Sequence, residues 1–467
     1  MKKDKRRKPA PNQTKEELLS EDVFYLLDWH QPSTAEENLN HAKSQGGIPN
    51  RWEWVEPSVW NAKMLTTLER GVKGGKWFSL IDKVWKMQNL RSAFKRVKAN
   101  KGTAGIDKQS IKNYESNLEE NLQWLSKQLE EGTYQSKPIR RCHIEKPGRK
   151  HETRPIGIAT VRDRVVQTAL RNVIEPILEN QFAEKSYGFR PRRSAKDALR
   201  EVRNSIDQGK CQVLDADIQS FFDEMDHEIL IGKISEHISD SRIINLIRMF
   251  MEAEIDDAGT RHTPTKGTPQ GAVISPILAN LYLNELDWLL ASEGNEMIRY
   301  ADDFVVMCDK AQQAEQARDL IEEWCEQNKL NLHPEKTVLT EVTESQGIDF
   351  LGYHIRKNGK QWISGKSAKK FRDNIRPLTR RTSGVSLETT IEKLNPKLRG
   401  FYEYFKHGNK YGLIALDAWV RMRLRSILRK RVGRKGKGTG LDHHRYPNAY
   451  FANLGLFSLE EAKRLKQ

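Results

Sequence analysis

Two short apolar strands meet at the tetrapeptide Tyr300-Ala301-Asp302-Asp303, and this feature constrains the fold more than any other in the chain. Residues 296–299 lead into the tetrapeptide and the β-prone run 304–308 leads out, so the sequence predicts a tight hairpin. Adjacent acids at a strand end can hold a divalent cation, or they can form a plain turn, because Asp is a favoured turn residue. Taken alone, the tetrapeptide leaves both interpretations open.

A second strand that ends in an acid lies earlier in the chain. Residues 213–218 read as a strand that carries Asp217 near its end, and the aromatic pair Phe221-Phe222 follows. Two-metal phosphoryl transfer needs carboxylates from separate chain segments that hold two ions roughly 3.5–4 Å apart. Asp217 and the pair Asp302-Asp303 can supply them if their strands are neighbours in one sheet. Otherwise they are unrelated surface acids.

Further motifs surround these acids in a fixed order. They are residues 154–158 with 163–167, 186–191, 268–271 with 275–280, 330–337 and 350–353. This series resembles the sequence blocks of reverse transcriptases, and specifically of the group II intron reverse transcriptase/maturase family. Residues 394–405 resemble the start of that family's maturase, or thumb, domain, which favours the group II branch.

The resemblance implies an α+β protein with right-hand polymerase architecture, in which fingers and palm precede an α-helical thumb/maturase domain. Strands mixed with helices around one sheet agree with this class. The tryptophans of residues 51–80 favour packing of an N-terminal extension against the body over stacking on bases. We expect a polar tail at 1–50, a helical extension at 51–110, fingers and palm at 111–360, a thumb/maturase domain at 366–437 and a short tail without an endonuclease domain at 438–467.

The resemblance also assigns the metal site. It implies that Asp217 and Asp302 are the principal ligands of two Mg²⁺ ions, that Asp303 is the supporting catalytic acid and that Ile218 is a further metal-binding position. Oxygen ligands suit a hard cation that keeps waters and incoming phosphates. Asp215 and Asp223 lie close by in the sequence, at positions that are not ligands in the family's motif.

The nucleotide site is implied in the same way. Lys146 and Arg154 match the positions that bind the triphosphate, where cations neutralise developing charge. Phe222 matches the position of an aromatic residue that lies beneath the incoming sugar, where its ring would clash with a ribose 2′-hydroxyl. Phe222 can equally be a core residue. The resemblance further places Gln270 against the incoming nucleotide, and Ile158 and Tyr300 against the template-primer.

Composition favours a polyanionic partner. The net charge is +16, from 79 basic and 63 acidic residues. Solubility or attraction to a membrane surface would also fit a basic surface. However, 13 Lys or Arg against 2 acids lie between Lys397 and Lys437, and such focusing is typical of a nucleic-acid groove. The 4 cysteines form no paired motif, which predicts a reducing cytoplasm, and no apolar stretch is long enough to span a membrane.

A helix within this basic segment supplies the candidate RNA-binding residues. An apolar stripe over residues 416–428 has helical spacing, and Arg421, Arg425 and Arg429 follow one another at intervals of four on another face. A solvated charged face is the alternative. Such faces usually carry both basic and acidic residues, whereas we expect this face to carry no acid. We therefore predict RNA contacts at these three arginines and at Lys430.

The sequence as a whole predicts an RNA-directed DNA polymerase. It would extend the 3′-hydroxyl of a DNA or RNA primer with dNTPs on an RNA template, and it would bind group II intron RNA to assist splicing and mobility. Two alternatives remain open at this stage. One is a maturase that only binds RNA, and the other is a domesticated reverse transcriptase used in host repair or phage defence without an intron.

Overall fold

A computed structural model describes residues 50–145, 153–357, 360–438 and 440–465. The tail expected at 1–50 lies almost wholly outside the described residues, and Lys146 lies outside them as well. A 3₁₀ helix (Asn50–Trp52) precedes helices α1 (Ala62–Arg70), α2 (Ile81–Trp85), α3 (Met87–Ala99), α4 (Ile111–Glu115) and α5 (Leu118–Glu131). Groups of strands and groups of helices then alternate as far as the last strand.

These alternating elements are β1 (Ile139–Glu145), β2 (Thr153–Ile158), α6 (Val161–Glu179), α7 (Ala195–Asp207), β3 (Gln212–Asp217), α8 (Phe221–Glu224), α9 (His227–Ser235), α10 (Ser241–Met251), β4 (Ile255–Asp257), β5 (Thr260–His262), α11 (Ser275–Ser292), β6 (Glu296–Tyr300), β7 (Asp303–Cys308), α12 (Ala311–Gln327), β8 (Val338–Glu341), β9 (Ile348–Phe350), β10 (Tyr353–Ile355) and β11 (Gln361–Ile363). The remaining elements are the helices α13 (Gly365–Ile375), α14 (Leu387–Phe405), α15 (Lys410–Arg431), α16 (Gly440–Arg445), α17 (Asn448–Asn453) and α18 (Leu459–Arg464). In the described residues, no helix combines the length and the apolar character that crossing a membrane requires.

The central sheet has the strand order β6-β7-β3-β8, and all its pairings are antiparallel. A separate sheet, β2-β1-β4-β5, forms around the hairpin of β1 and β2, and a small sheet β11-β10-β9 precedes the helical C-terminal part. The two acid-bearing segments are therefore neighbours in one sheet, which was the condition for a shared metal site.

Both faces of the central sheet are buried, each in its own apolar core. Side chains alternate along a strand, so Leu214 and Val306 enter one core while Val213 and Val305 enter the other. The first core also contains the N-terminal helices and α6, and the second contains α14 and α15. The sheet thus joins the N-terminal and C-terminal helical parts.

The N-terminal extension belongs to the body of the protein. Trp52 and Trp60 are fully buried, and the Trp60 indole donates to the carbonyl of Asn172 at 3.0 Å. The helical layer continues through α5, whose Leu122 and Leu125 enter the same core. Helix α5, which lies beyond the boundary expected at residue 110, packs on α2 and α3, so this helical layer continues to Glu131.

The C-terminal segment is folded rather than a tail. Three arginines on α15, Arg421, Arg425 and Arg429, which we call the arginine ladder, hold the three last helices. Arg421 pairs with Asp417 and with Glu460 of α18, the latter at 3.1 Å. Arg425 donates to the Tyr446 carbonyl at 2.9 Å and to Asn448 at 2.7 Å, and Arg429 pairs with Asp442 of α16 at 2.7 Å.

The arginine ladder corrects the sequence interpretation of this face. Arg421 and Arg425 are buried and Arg429 is largely covered, so an exposed RNA-binding face built from all three is wrong. Asp417 lies one turn before Arg421 on the same helix, and the face therefore does carry an acid. Lys430 is the one member of the predicted set that is exposed.

We expect Arg421→Gln to destabilise the fold. The change would leave the buried Asp417 without its counter-charge, and breaking a buried pair from one side costs about 3 kcal/mol or more. The exposed Lys430→Gln variant is the control, with an effect within about 0.5 kcal/mol. Urea unfolding followed by fluorescence would measure both. Equal midpoints for Arg421→Gln and the wild type would contradict the anchoring role.

Candidate active site

The register of β3 and β7 brings the predicted acids together. Asp217 lies directly opposite Asp303, and Tyr300 pairs with Asp303 across the β6–β7 hairpin. Ala301 and Asp302 form the two-residue turn, in which Ala301 adopts a left-handed conformation with φ of 60°. Asp217, Asp302 and Asp303 therefore meet at one end of the central sheet, as the sequence predicts.

Burial, with a smaller contribution from neighbouring charges, disfavours the ionised form of Asp215, Asp302 and Asp303 at this sheet end. Burial, above all, raises the pKa of Asp303 to about 7, with further contributions from Asp215, Asp302 and Asp217. Burial also raises the pKa of Asp302, and the nearby charge of Asp217 adds to it. Asp215 has a pKa of about 6, mainly through burial. A bound cation would relieve this repulsion, so the residues fit a divalent metal.

The protein supplies only part of a metal's coordination shell. Across the described ranges, no three His, Cys, Asp or Glu side chains converge as a group that could hold a metal ion by themselves. Mg²⁺ commonly binds through one or two carboxylates together with waters and substrate phosphates. Asp217 and Asp302 therefore suit a site that the substrate completes.

Ile218 can contribute only a main-chain oxygen, because its buried side chain carries no ligand atom. It forms a bridge with Leu332 in which the hydrogen bonds come from its neighbours, Gln219 N to Asn331 O and His333 N to Asp217 O. In this antiparallel arrangement the Ile218 carbonyl turns away from Leu332, toward the β7 side that carries the other acids.

Lys336 contacts the acid cluster, by which we mean Asp217, Asp302 and Asp303. No sequence pattern predicted a role for this lysine. Lys336 Nζ donates to Asp217 Oδ2 at 2.6 Å. Lys336 belongs to the motif at 330–337, but its contact depends on the return of that segment beside β3. Periodicity does not reveal such a contact.

Arg154 and Gln270, two of the residues predicted to bind the nucleotide, form one hydrogen-bonded row with Asp223. Arg154 Nε donates to Gln270 Oε1 at 2.7 Å, and Gln270 Nε2 donates to Asp223 Oδ2 at 3.4 Å. The Gln270 carbonyl also accepts from Gly157 N at 2.7 Å, which ties this loop to β2. A donor-only guanidinium on one side and a carboxylate on the other fix the orientation of the Gln270 amide.

Phe222 lies beside the loop that carries Gln270. Its ring is half-buried and lies edge-on to Phe221 and Phe189, with ring centroids 5.6 Å and 6.5 Å away. The main-chain carbonyl of Phe222 accepts a hydrogen bond from Thr268 N at 2.7 Å, which joins Phe222 to the loop that carries Gln270. The half-buried position leaves one part of the ring in the core and another part accessible.

A buried arginine holds the hairpin turn in place. Arg299 is fully buried and forms a salt bridge with Asp287 of α11. It also donates to Asn280 Oδ1 and to the carbonyl of Ala301, both at 3.0 Å. Sequence reasoning missed this residue, although a charge in the middle of an apolar strand was the available signal.

Gly188 packs directly behind the turn. Asn280, which also binds Arg299, donates to the Gly188 carbonyl at 2.8 Å. A Cβ atom on Gly188 would lie 2.1 Å from the Ala301 nitrogen and 2.8 Å from the Tyr300 carbonyl carbon. Only glycine allows the segment 186–191 to approach the hairpin this closely.

Two of the remaining predicted residues lie at strand ends. Ile158 ends β2 and is half-buried, and Tyr300 ends β6, where it packs against the second core. The distance from Lys146 to any of them is not defined, because Lys146 lies outside the described residues.

We expect Gly188→Ala to displace the acid-bearing turn. The added methyl group would meet backbone atoms that cannot rotate away, and such overpacking typically costs about 1–3 kcal/mol. Hydrogen–deuterium exchange should rise in residues 299–303. Gly232→Ala is the matched control, because Gly232 lies within α9 with open space around its Cβ position. Unchanged exchange in Gly188→Ala would contradict the packing role.

Comparison with known proteins agrees with this geometry. The family "Reverse transcriptase (RNA-dependent DNA polymerase)" matches residues 144–355, and "Group II intron, maturase-specific domain" matches residues 368–446. The second match extends past the expected boundary at 437 and includes α16. The sequence predictions of the family, the α+β reverse transcriptase fold and the maturase domain are confirmed. The reverse transcriptase domain implies a polymerase that depends on divalent metal.

Individual relatives differ in how much of their length is matched. Protein YkfC of Escherichia coli K12 is 34% identical over 301 residues, which cover 55% of this chain and 77% of YkfC. The group II intron-encoded protein LtrA of Lactococcus lactis is 40% identical over 169 residues, 36% of this chain and 28% of LtrA. The putative COX1/OXI3 intron 1 protein of Saccharomyces cerevisiae is 36% identical over 170 residues, 36% of this chain and 20% of that protein. The chain belongs to the group II intron reverse transcriptase/maturase family.

Proposed function

We propose that the protein is an RNA-directed DNA polymerase that extends a primer 3′-hydroxyl with dNTPs on an RNA template and uses two Mg²⁺ ions. The observation that carries the proposal is the strand register, which places Asp217 opposite Asp303 and next to the turn that carries Asp302. Their crowding favours a divalent cation, which is the requirement for two-metal phosphoryl transfer.

Asp217 and Asp302 would hold the metal ions, with Ile218 as a main-chain ligand and Asp303 as the supporting acid. When bound, the ions lower the pKa of the primer hydroxyl and stabilise charge on the phosphates. Arg299 and Gly188 keep the turn that carries Asp302 in place. The fixed turn is important because a small misplacement of a reacting group greatly lowers the rate.

The row of Arg154, Gln270 and Asp223 supports binding of the incoming dNTP. The Arg154 guanidinium would bind the triphosphate oxygens. The Gln270 side chain accepts a hydrogen bond from this guanidinium and so fixes its position. The accessible part of the Phe222 ring would exclude a ribose 2′-hydroxyl. Lys146 completes the proposed triphosphate contacts, and Ile158 and Tyr300 are proposed to contact the template-primer.

A second role, binding of intron RNA, is supported by a basic surface at the ends of α13 and α15. Arg381 donates to the Gly436 carbonyl at 2.9 Å and Arg431 donates to the Val385 carbonyl at 2.6 Å, so the two loops lie together. In the part of the chain that the structure describes, Arg380, Lys430 and Arg434 are exposed and form no ion pair. This surface replaces the arginine ladder as the proposed RNA contact and retains Lys430.

We expect Asp217→Asn and Asp302→Asn each to abolish primer extension on poly(rA)/oligo(dT) with Mg²⁺, because each removes a carboxylate that would bind metal. Asp319→Asn is the control, since Asp319 lies exposed on α12 away from the site. Near-normal extension by either site variant would refute the metal assignment. Circular dichroism would verify that both variants remain folded.

We expect the triple variant Arg380→Gln, Lys430→Gln, Arg434→Gln to bind RNA more weakly and with a flatter salt dependence. Each lost phosphate contact lowers the slope of log affinity against log salt by roughly 0.7–0.9. The control removes the same charge elsewhere, at the exposed Lys63, Lys127 and Lys310. Filter binding over a range of salt would measure both. Equal slopes in the two triple variants would place the RNA contact on another surface.

A further inference from the structure

We propose that Lys336 is an internal counter-ion of the acid cluster, which pairs with Asp217 while the metal site is empty and leaves it when a divalent cation binds. The inference rests on the proposed function, because it assumes that Asp217 is a metal ligand. Lys336 Nζ donates to Asp217 Oδ2 at 2.6 Å. Within the ranges that the structure describes, Lys336 is the only cation that forms an ion pair with Asp217, Asp302 or Asp303.

The backbone holds Lys336 within reach of this carboxylate. His333 N donates to the Asp217 carbonyl at 2.7 Å, so the segment that carries the lysine is attached to the end of β3. Lys336 N and Thr337 N then donate to the His333 carbonyl at 3.1 Å and 3.0 Å, which closes a turn. The backbone of Lys336 therefore stays near Asp217 even when its ammonium group moves away.

The side chain remains free enough to leave. Its exposed fraction is 58%, while that of Asp217 is 30%. Pairs of this kind are weak, because water competes for both charges and the lysine loses conformational freedom. A divalent cation carries twice the charge and can contact several carboxylates at once, so it should displace the ammonium readily.

The ion pair between Lys336 and Asp217 has two consequences. The ammonium reduces repulsion among the acids, which favours the folded hairpin. It also competes with the metal for Asp217, because two cations cannot share one carboxylate oxygen without repelling each other. Lys336 should therefore stabilise the empty site and weaken metal binding at the same time.

A second lysine in the same region offers a matched control. Lys329 Nζ pairs with Asp226 Oδ2 at the same distance, 2.6 Å, and its side chain is 65% exposed. Asp226, however, caps α9 by accepting from Glu228 N and Ile229 N, and it takes no part in the acid cluster. Lys329→Gln thus removes an equivalent ion pair and the same charge without touching the proposed metal site.

The test is calorimetric titration of the full chain with Mn²⁺ in the absence of nucleic acid and dNTPs. Mn²⁺ serves as the probe because it prefers the same oxygen ligands as Mg²⁺. We expect Lys336→Gln to bind Mn²⁺ about two- to fivefold more tightly than the wild type, which is the range set by exposed ion pairs. Lys336→Arg and Lys329→Gln should bind like the wild type.

Thermal unfolding supplies a second measurement that does not depend on activity. Lys336→Gln should melt below Lys329→Gln in EDTA, and the difference should shrink at saturating Mn²⁺. Unchanged or weaker Mn²⁺ binding by Lys336→Gln would overturn the inference, and the proposed function would stand if Asp217→Asn still lost Mn²⁺ binding. Wild-type Mn²⁺ affinity in Asp217→Asn would instead refute the metal assignment.

Discussion

The pairing of β3 with β7 is the constraint on which the rest of the structure depends. Side chains alternate along each strand, so a shift of one residue would exchange the residues that face the two cores. Leu214 and Val213 belong to different cores, and each is fully buried. The apolar interior therefore enforces the same register that places Asp217 opposite Asp303. Stability and the geometry of the acids have one physical origin in this protein.

Aromatic contacts connect the C-terminal helix α14 to the small sheet β11-β10-β9. The Tyr353 hydroxyl donates to the Tyr404 carbonyl at 2.6 Å, and the Tyr404 hydroxyl donates to the Leu351 carbonyl at 2.9 Å. The Phe405 ring lies 5.0 Å from that of Tyr353. These contacts fix α14 against the small sheet β11-β10-β9. The second core, which contains residues of α14 and of β7, joins this helix to the central sheet as well.

Sequence patterns predicted the parts of the site that depend on local structure. The hairpin around Ala301 and the strand that ends at Asp217 follow from apolar runs and turn residues, which act over a few positions. The contact of Arg154 with Gln270 joins residues 116 positions apart, and no local pattern encodes it. The prediction of an RNA-binding face at the arginine ladder failed for a related reason, because the burial of these arginines depends on contacts with the three helices that follow α15. The nearest signal was Asp417, one turn before Arg421.

The arginine ladder also affects how shortened forms of this chain would behave. Removing residues after 438 would take away Asp442, Asn448 and Glu460, the side chains that α16, α17 and α18 offer to the ladder. Arg425 and Arg429 would then lose these partners, and Arg421 would keep only Asp417, beside the basic surface of Arg380, Lys430 and Arg434. A truncated protein would acquire a polyanion-binding patch that the full chain keeps covered. Stronger retention of such a fragment on heparin or RNA would therefore report the loss of its covering helices.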